Sequence, residues 1–401
     1  MCGLWLRVKH GDDAVKDRRH DRLGPTSLSL VVLCLLSLPV WSAPSNYAMQ
    51  MDKAASALFL DIAAAGDRLV AVGERGHILY SNDAGDSWTQ TEVPTSAMLT
   101  RVFFISDQRG WAVGHDGNVL TSNDGGISWE LQRDGVSDQA RINEVRAGTA
   151  KEQVGTLRDR LLSSEATGRV ELMSQLEEAQ HTLDEALLDL DTAVYAPPLM
   201  DIWFANEQQG WASGAYGTLL HTSNGGRQWQ DWSHKVDNAD QLHLNGVTGT
   251  ANGALFLASE WGTIFRSSTA GESWEAIDSG YEGSFFGLVV NPDTNTLFAY
   301  GLRGTIYRST DNGLNWNPLQ SKAQDSLFGS HVTQGGQLIF VGSNGTVTWS
   351  DDNGESFTPL RQASRYGVYG IAPTTDGHYV LTGENGSRRL IEGTFNTGPK
   401  Q

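Results

Sequence analysis

Apolar and polar positions along this chain follow a fixed order that repeats. An apolar run such as Leu99–Ile105 is followed by a second, Gly110–Gly114, then a turn rich in glycine, a third short run, a polar stretch and an aromatic residue. Short apolar runs bounded by Gly, Asn, Asp and Ser predict strands. The unit running from Val70 to Trp88 recurs at 110–129, 210–229, 256–274, 298–316 and 340–357, and a seventh unit at 379–393 keeps only its first half. The closing aromatics Trp88, Trp129, Trp229, Trp274, Trp316 and Phe357 are spaced 41, 100, 45, 42 and 41 residues apart. Intervals of about 40–50 residues suit one four-stranded blade each. The pattern therefore predicts an all-β chain, a seven-bladed β-propeller of antiparallel blades. Because the seventh unit lacks a final strand, residues 46–57 are expected to supply or complete that blade's outer strand.

The long interval holds an insertion, 133–196, with no tryptophan and with apolar residues at helical spacing: Ile142, Val145, Val154, Leu157 and Leu161, then Leu172, Leu176, Leu183, Leu187 and Leu190. Thr167-Gly168 divides it. It reads as an antiparallel helical hairpin of about 25 residues per arm, projecting from the link between blades two and three. The expected organisation is a leader over 1–43, blades one and two over 44–132, the hairpin over 133–196, and blades three to seven over 197–401.

The polar stretch has the form Ser-x-Asp-x-Gly-x-Ser-Trp, as in Ser81, Asp83, Gly85, Ser87 and Trp88. It resembles the Asp-box, or BNR, repeat. An aspartate bonds backbone N–H groups nearby, glycine takes positive φ and the tryptophan buries a large ring, so Asp83, Trp88, Asp124, Trp129, Trp229, Trp274, Asp311, Trp316 and Asp352 are read as structural. Each box offers too few carboxylates for a calcium loop, and Asn224 and Thr269 replace the aspartate in later ones. No metal or cofactor is assigned.

In a four-stranded blade the turn between strands two and three lies on the same face as the link to the next blade. That face gathers Glu74, Arg75 and His77; His115 and Asp116; Tyr216; Glu260 and Trp261; Arg303; Asn344; and Glu384 and Asn385. The frame repeats while the turn contents vary, as on a binding face built on a rigid scaffold. Arginine can grip a carboxylate bidentately, and a lone aromatic on a turn makes an interface anchor. Tyr281, in the linking segment Tyr281–Gly287, joins this set and ranks above Phe285 and Phe286.

Composition narrows the functions. Residues 28–41 form an apolar run, too short to span a membrane and followed by small residues, which reads as a signal peptide cut near position 42 or 43. Cys2 and Cys34, the two cysteines, fall inside that leader, so the mature chain does without disulfides or thiol chemistry. Removing residues 1–43, with six Lys/Arg and four Asp/Glu, takes the formal net charge from −18 to −20, which argues against nucleic acid as a partner. No catalytic residue is assigned. Glu74, Asp116, Glu260 and Glu384 could supply the carboxylate pair of a glycoside hydrolase, the alternative reading, alongside a carbohydrate-binding propeller. A sialidase would have six blades and a Tyr-Arg-Ile-Pro-like segment, neither of which is present.

Val72–Leu79, Gly110–His115 and Tyr281–Gly287 with Gly301–Gly304 together resemble the photosystem II stability/assembly factor family. The resemblance covers most of 58–390 outside the helical insertion. It implies a lumenal or periplasmic propeller, without catalytic activity, that binds a membrane-protein complex or transporter subunit through an arginine-containing face, with Arg75 and Arg303 as the residues carried over. The expected location is the periplasm, or the thylakoid lumen in a photosynthetic cell, for a monomer at most peripheral to the membrane.

Overall fold

The computed structural model describes residues 46–164, 168–361 and 364–390. The signal peptide expected over 1–43 lies outside the described residues. The strands form seven antiparallel sheets, six of four strands and one of three, each a simple meander. Blade 1 shows the plan: Phe59–Ala65, Arg68–Gly73, Ile78–Ser81 and Thr89–Gln90 run from the axis outward. The inner strands of successive blades pack on one another, and that of blade 7, Val368–Pro373, packs on that of blade 1. The ring is closed.

A blade held between two neighbours buries both faces, which is why the second strands read as unbroken apolar runs. Gly110–Gly114 is buried at every position. Between blades 1 and 2, Val70, Val72 and Ile78 meet Val102, Ala112, Leu120 and Trp129. Each buried valine, leucine or isoleucine among them contributes about 1.5–3 kcal/mol.

The boxes are turns held by their own side chains. Asp83 Oδ1 accepts from the Ser87 N–H at 2.9 Å and the Ser81 hydroxyl at 2.7 Å, while Ser81 Oγ accepts from the Gly85 N–H at 2.8 Å, where φ is 89°. Hydrogen bonds from Ser87 hold the Asp83 carboxyl down at about 2. Trp129, Trp274 and Trp316 each donate Nε1 to the glycine carbonyl three residues back, at 3.1 Å. Asn224 and Thr269 keep the frame without a charge, accepting from the N–H groups of Gln228 and Ser273 at 3.0 Å.

The N-terminal segment departs from expectation. Residues 46–57 add no strand to blade 7; they lie beside the outer part of blade 1, with the Ala48 N–H on Val93 O at 2.9 Å and the Met51 N–H on Gln90 Oε1 at 3.0 Å, and then make one 3-10 turn, Ala54–Ser56. The segment meets blade 7 where Gly386 N–H donates to Ala57 O at 3.0 Å. Its sequence has no β-branched residue and, after the short alternation of Tyr47, Met49 and Met51, turns to alanines and charges, so little in it favours a strand over a strap. Blade 7 keeps three strands among the described residues.

The insertion folds as α1, Gly135–Ser163, and α2, Arg169–Asp191. The Asp134 carboxylate caps α1 by accepting the Ser137 N–H at 3.1 Å, and Gly168 turns the chain at φ 100°. Ala150, Val154 and Leu157 pack against Ala179 and Leu183, with Leu172 and Leu176 beside them. Ile142, Val145, Leu187 and Leu190, apolar by pattern, stay exposed because two helices bury only the stripes that face each other. Among the described residues no helix is long and apolar enough to cross a membrane.

Candidate functional site

Six turns between second and third strands place their central residue in the left-handed region: Arg75, Asp116, Tyr216, Trp261, Arg303 and Asn344, with φ between 54° and 60°. That conformation costs an L-residue roughly 1–2 kcal/mol. The next residue is glycine in every case, at φ between 62° and 73°, and in some blades the backbone also leaves no room for a side chain. A Cβ on Gly76 would sit 2.1 Å from Thr95 O, and one on Gly262 would sit 1.9 Å from Tyr281 O. The outcome is a crown of six exposed side chains, one per blade, all on one face; Asn385 takes the corresponding place in blade 7 and is also exposed.

The residue before the crown position is structural in three blades. Glu74 accepts the Leu58 N–H at 3.1 Å, Glu260 the His243 N–H at 3.0 Å and Glu384 the Gly367 N–H at 2.9 Å, so each carboxylate caps the entry to its own blade's inner strand. The Tyr369 hydroxyl also donates to Glu384 at 3.2 Å. Of the carboxylates considered for glycosidase chemistry, only Asp116 stands on the crown itself.

Two sequence expectations need correction. His77 is 1% exposed beneath the face, because it opens the third strand and points inward; burial pushes its pKa below the usual value. Tyr281 is half-buried, donating its hydroxyl to Leu302 O at 3.0 Å and packing on Phe285 and Tyr307, so it belongs to the blade interface. His115 and Asp116 are exposed as expected. Trp261 is 70% exposed, and Tyr216 leans edge-on against Tyr195 and His243. The Arg75 guanidinium reaches Met51 Sδ at 3.9 Å, and among the described residues neither it nor Arg303 pairs with a carboxylate.

Inside the crown lies a second ring that sequence reasoning missed. Six inner strands carry a register shift near the face, and the residues extruded there are Leu60, Thr100, Met200, Phe286, Phe328 and Tyr369, with Asn245 in the matching place in blade 4. All seven are half-buried at the mouth of the central channel. Phe286 stacks on Phe328, and Phe328 meets Tyr369 at a tilt, each at 5.3 Å between centroids. A bulge turns a side chain that strand alternation would hide toward the axis, so a period-two reading cannot find it.

One step deeper three charged side chains gather. Asp61, Arg101 and Asp201 hold the next position in blades 1 to 3, while blades 4 to 7 have Gly246, Gly287, Gly329 and Gly370 there. Arg101 Nε meets Asp201 Oδ1 at 2.9 Å and Arg101 Nη1 meets Asp61 Oδ1 at 3.5 Å. Burial raises the Asp61 carboxyl to about 6 against the pull of Arg101. The face thus combines a charged floor, an aromatic arc and an outer crown.

A family model described as photosynthesis system II assembly factor YCF48 matches residues 81–152 and 179–384, more than half of the chain. The chain belongs to this family. The unmatched residues between the two segments, 153–178, are the distal parts of α1 and α2, whose proximal parts lie within the match. A photosystem II assembly lipoprotein Ycf48 from Synechococcus sp. (strain CC9902) is 30% identical over 69 residues, a match spanning 17% of this chain and 20% of that protein. Among solved structures, YCF48 bound to D1 peptide superposes with a TM-score of 0.57 at 16% identity, over 86% of this chain and 97% of that one. YCF48 from Cyanidioschyzon merolae gives 0.54 at 13% identity over 84% and 96%. The WD40 propeller domain of Doa1 gives 0.55 at 11% identity over 88% and 98%. At those identities the structures speak for the propeller fold alone.

Proposed function

We propose that this YCF48-family propeller is an exported, non-catalytic assembly factor whose turn-bearing face docks a segment of a membrane-protein complex or transporter subunit. The observation that carries the reading is the crown: six non-glycine residues held at a conformational cost on one face, two of them arginines without a carboxylate partner among the described residues. Ala84 and Ala270 hold the same conformation in the box turns, so what sets the crown apart is its varied, exposed side chains. The structural relative bound to a D1 peptide supports a peptide-like client, and Glu74, Glu260 and Glu384, three of the four carboxylates considered for glycoside hydrolysis, are engaged in capping the inner strands. The protein acts as a monomer on the periplasmic or lumenal side, at most peripheral to the membrane.

The test is mild crosslinking in envelope extracts of wild type and an Arg75→Glu/Arg303→Glu variant, followed by identification of what co-purifies. One membrane protein recovered with wild type, and reduced about tenfold or more with the variant, supports the reading. Equal recovery moves the contact off this face, and recovery of nothing but glycan by either protein sinks the assembly role.

A further inference from the structure

Blade 7 is the one sheet with three strands among the described residues, so its third strand, Gly386–Leu390, is a sheet edge. Other blades show what belongs there. The N–H groups of Thr91, Trp232 and Leu319 donate to the carbonyls of Ile78, Leu219 and Ile306 at 3.0, 2.8 and 2.9 Å. These acceptors lie opposite Val72, Ser213 and Tyr300, as Ser387 lies opposite Thr382. Backbone groups alternate sides along a strand, so Ser387 and Arg389 direct their N–H and C=O outward. Among the described residues no backbone group answers them.

Beside this edge, where it meets the docking face, a cavity of about 200 Å³ opens between Tyr366, Gly367, Glu384, Ser387 and Arg388. Two polar atoms of its lining residues have no hydrogen-bond partner: Thr382 Oγ1, on a residue 1% exposed, and Arg388 Nε. The Arg388 guanidinium has one long bond, to Tyr366 O at 3.5 Å, whereas neighbouring Arg389 is engaged by Asp86 and Asp376.

We propose that a short extended segment of the partner completes blade 7 as its fourth strand, antiparallel to Gly386–Leu390, with a carboxylate side chain on Arg388. The proposal rests on the docking-face reading, since Glu384 joins the cavity to that face. Charge selects the occupant: on a chain of formal net charge −18 an acidic segment is repelled broadly, and Arg388 offers it a guanidinium fork with free capacity. The outer strands of the other blades run two to four residues, so a segment of that length suffices. Main-chain bonds supply affinity and Arg388 supplies preference.

Two fluorescein-labelled octapeptides, one alternating valine with glutamate and one valine with lysine, serve as probes against the full chain. Anisotropy titration should favour the glutamate peptide about tenfold, the worth of one charge-assisted hydrogen bond. Saturation should slow backbone hydrogen exchange at Ser387 and Arg389. Arg388→Glu should reverse the preference. Arg389→Pro deletes an outward N–H and should abolish protection, with Arg389→Ala, which keeps the N–H, as the folding control. Equal binding of the two peptides, binding without slowed exchange, or undiminished binding by Arg389→Pro overturns strand insertion. Membrane-partner capture lost in Arg75→Glu/Arg303→Glu but unchanged in Arg388→Glu sinks this proposal and leaves the docking face standing.

Discussion

At the residue scale the crown opposes stability to use, and that opposition can be measured. Arg75 and Trp261 sit at φ 57° and 55°, and Trp261 is 70% exposed, so neither conformation is recovered through burial. Glycine accepts that region freely, and Arg75→Gly and Trp261→Gly should each raise stability by about 0.5–1 kcal/mol in urea melts while weakening partner capture. A loss of stability in both would mean that the turns need those side chains for folding. Asp61 gives a pH signature. Its folded pKa of about 6 lies above the ~3.9 of an unfolded aspartate, so the folded state holds this proton more tightly; the resulting stabilisation is full below about pH 4 and is lost as pH rises through 6. His221 and His331, held neutral by burial with pKa values near 4, run the other way, losing stability as pH falls below about 6.5. The Asp61 part is isolated by difference: Asp61→Asn should gain about 2–3 kcal/mol on wild type between roughly pH 4 and pH 7. A flat difference would show that Arg101 already compensates the buried charge.

At the element scale, what was legible in sequence is what repeats. The Ser-x-Asp-x-Gly frame reports a turn whose bonds are all local, and the glycine after each crown residue reports a positive φ, with a close backbone approach as well at Gly76, Gly262 and Gly304, so both leave their chemistry in the letters. The N-terminal strap and the extruded ring are not legible. The first depends on which surface a featureless segment happens to meet, and the second on a one-residue slip in strand pairing that changes no residue type. The hairpin lies between: heptad-like spacing announced helices, yet Ile142 and Leu187 turned out exposed while Ala147 and Ala186 are buried, because small residues let the helices approach. Since α1 and α2 have a core of their own in Val154, Leu157 and Leu183, replacing residues 135–191 with a short Gly/Ser linker should leave the propeller's melting temperature within a few degrees. A large drop by calorimetry would make the hairpin part of the ring's stability.

At the scale of the whole molecule the described residues close the ring by packing of blade 7 on blade 1, with one backbone bond from Gly386 to Ala57 and no shared strand, and this makes the seam between blades 7 and 1 its most vulnerable line. Repetition let the sequence announce seven units, but closure depends on contacts between the two ends of the repeat array, which no single unit encodes. Gly370 stands at that seam: a Cβ there would lie 2.6 Å from Thr382 Oγ1, 2.9 Å from Ile62 N and 3.0 Å from Asp61 Cα. The Ile62 and Asp61 atoms are backbone and cannot yield unless blade 1 moves. Gly148, in α1, has nothing within 4 Å of the same position and serves as the control. Gly148→Ala should stabilise slightly, by up to about 1 kcal/mol, as alanine does in a helix. Gly370→Val should cost about 3–5 kcal/mol, the range of severe overpacking against backbone. The location of the damage matters more than its size. If the seam is where the ring opens, hydrogen exchange in Gly370→Val should accelerate first in Phe59–Ala65 and Val368–Pro373, with the strands of blades 3 to 5 still protected. Uniform acceleration across all seven blades would instead mean that the propeller unfolds as one unit and that closure has no separate free energy.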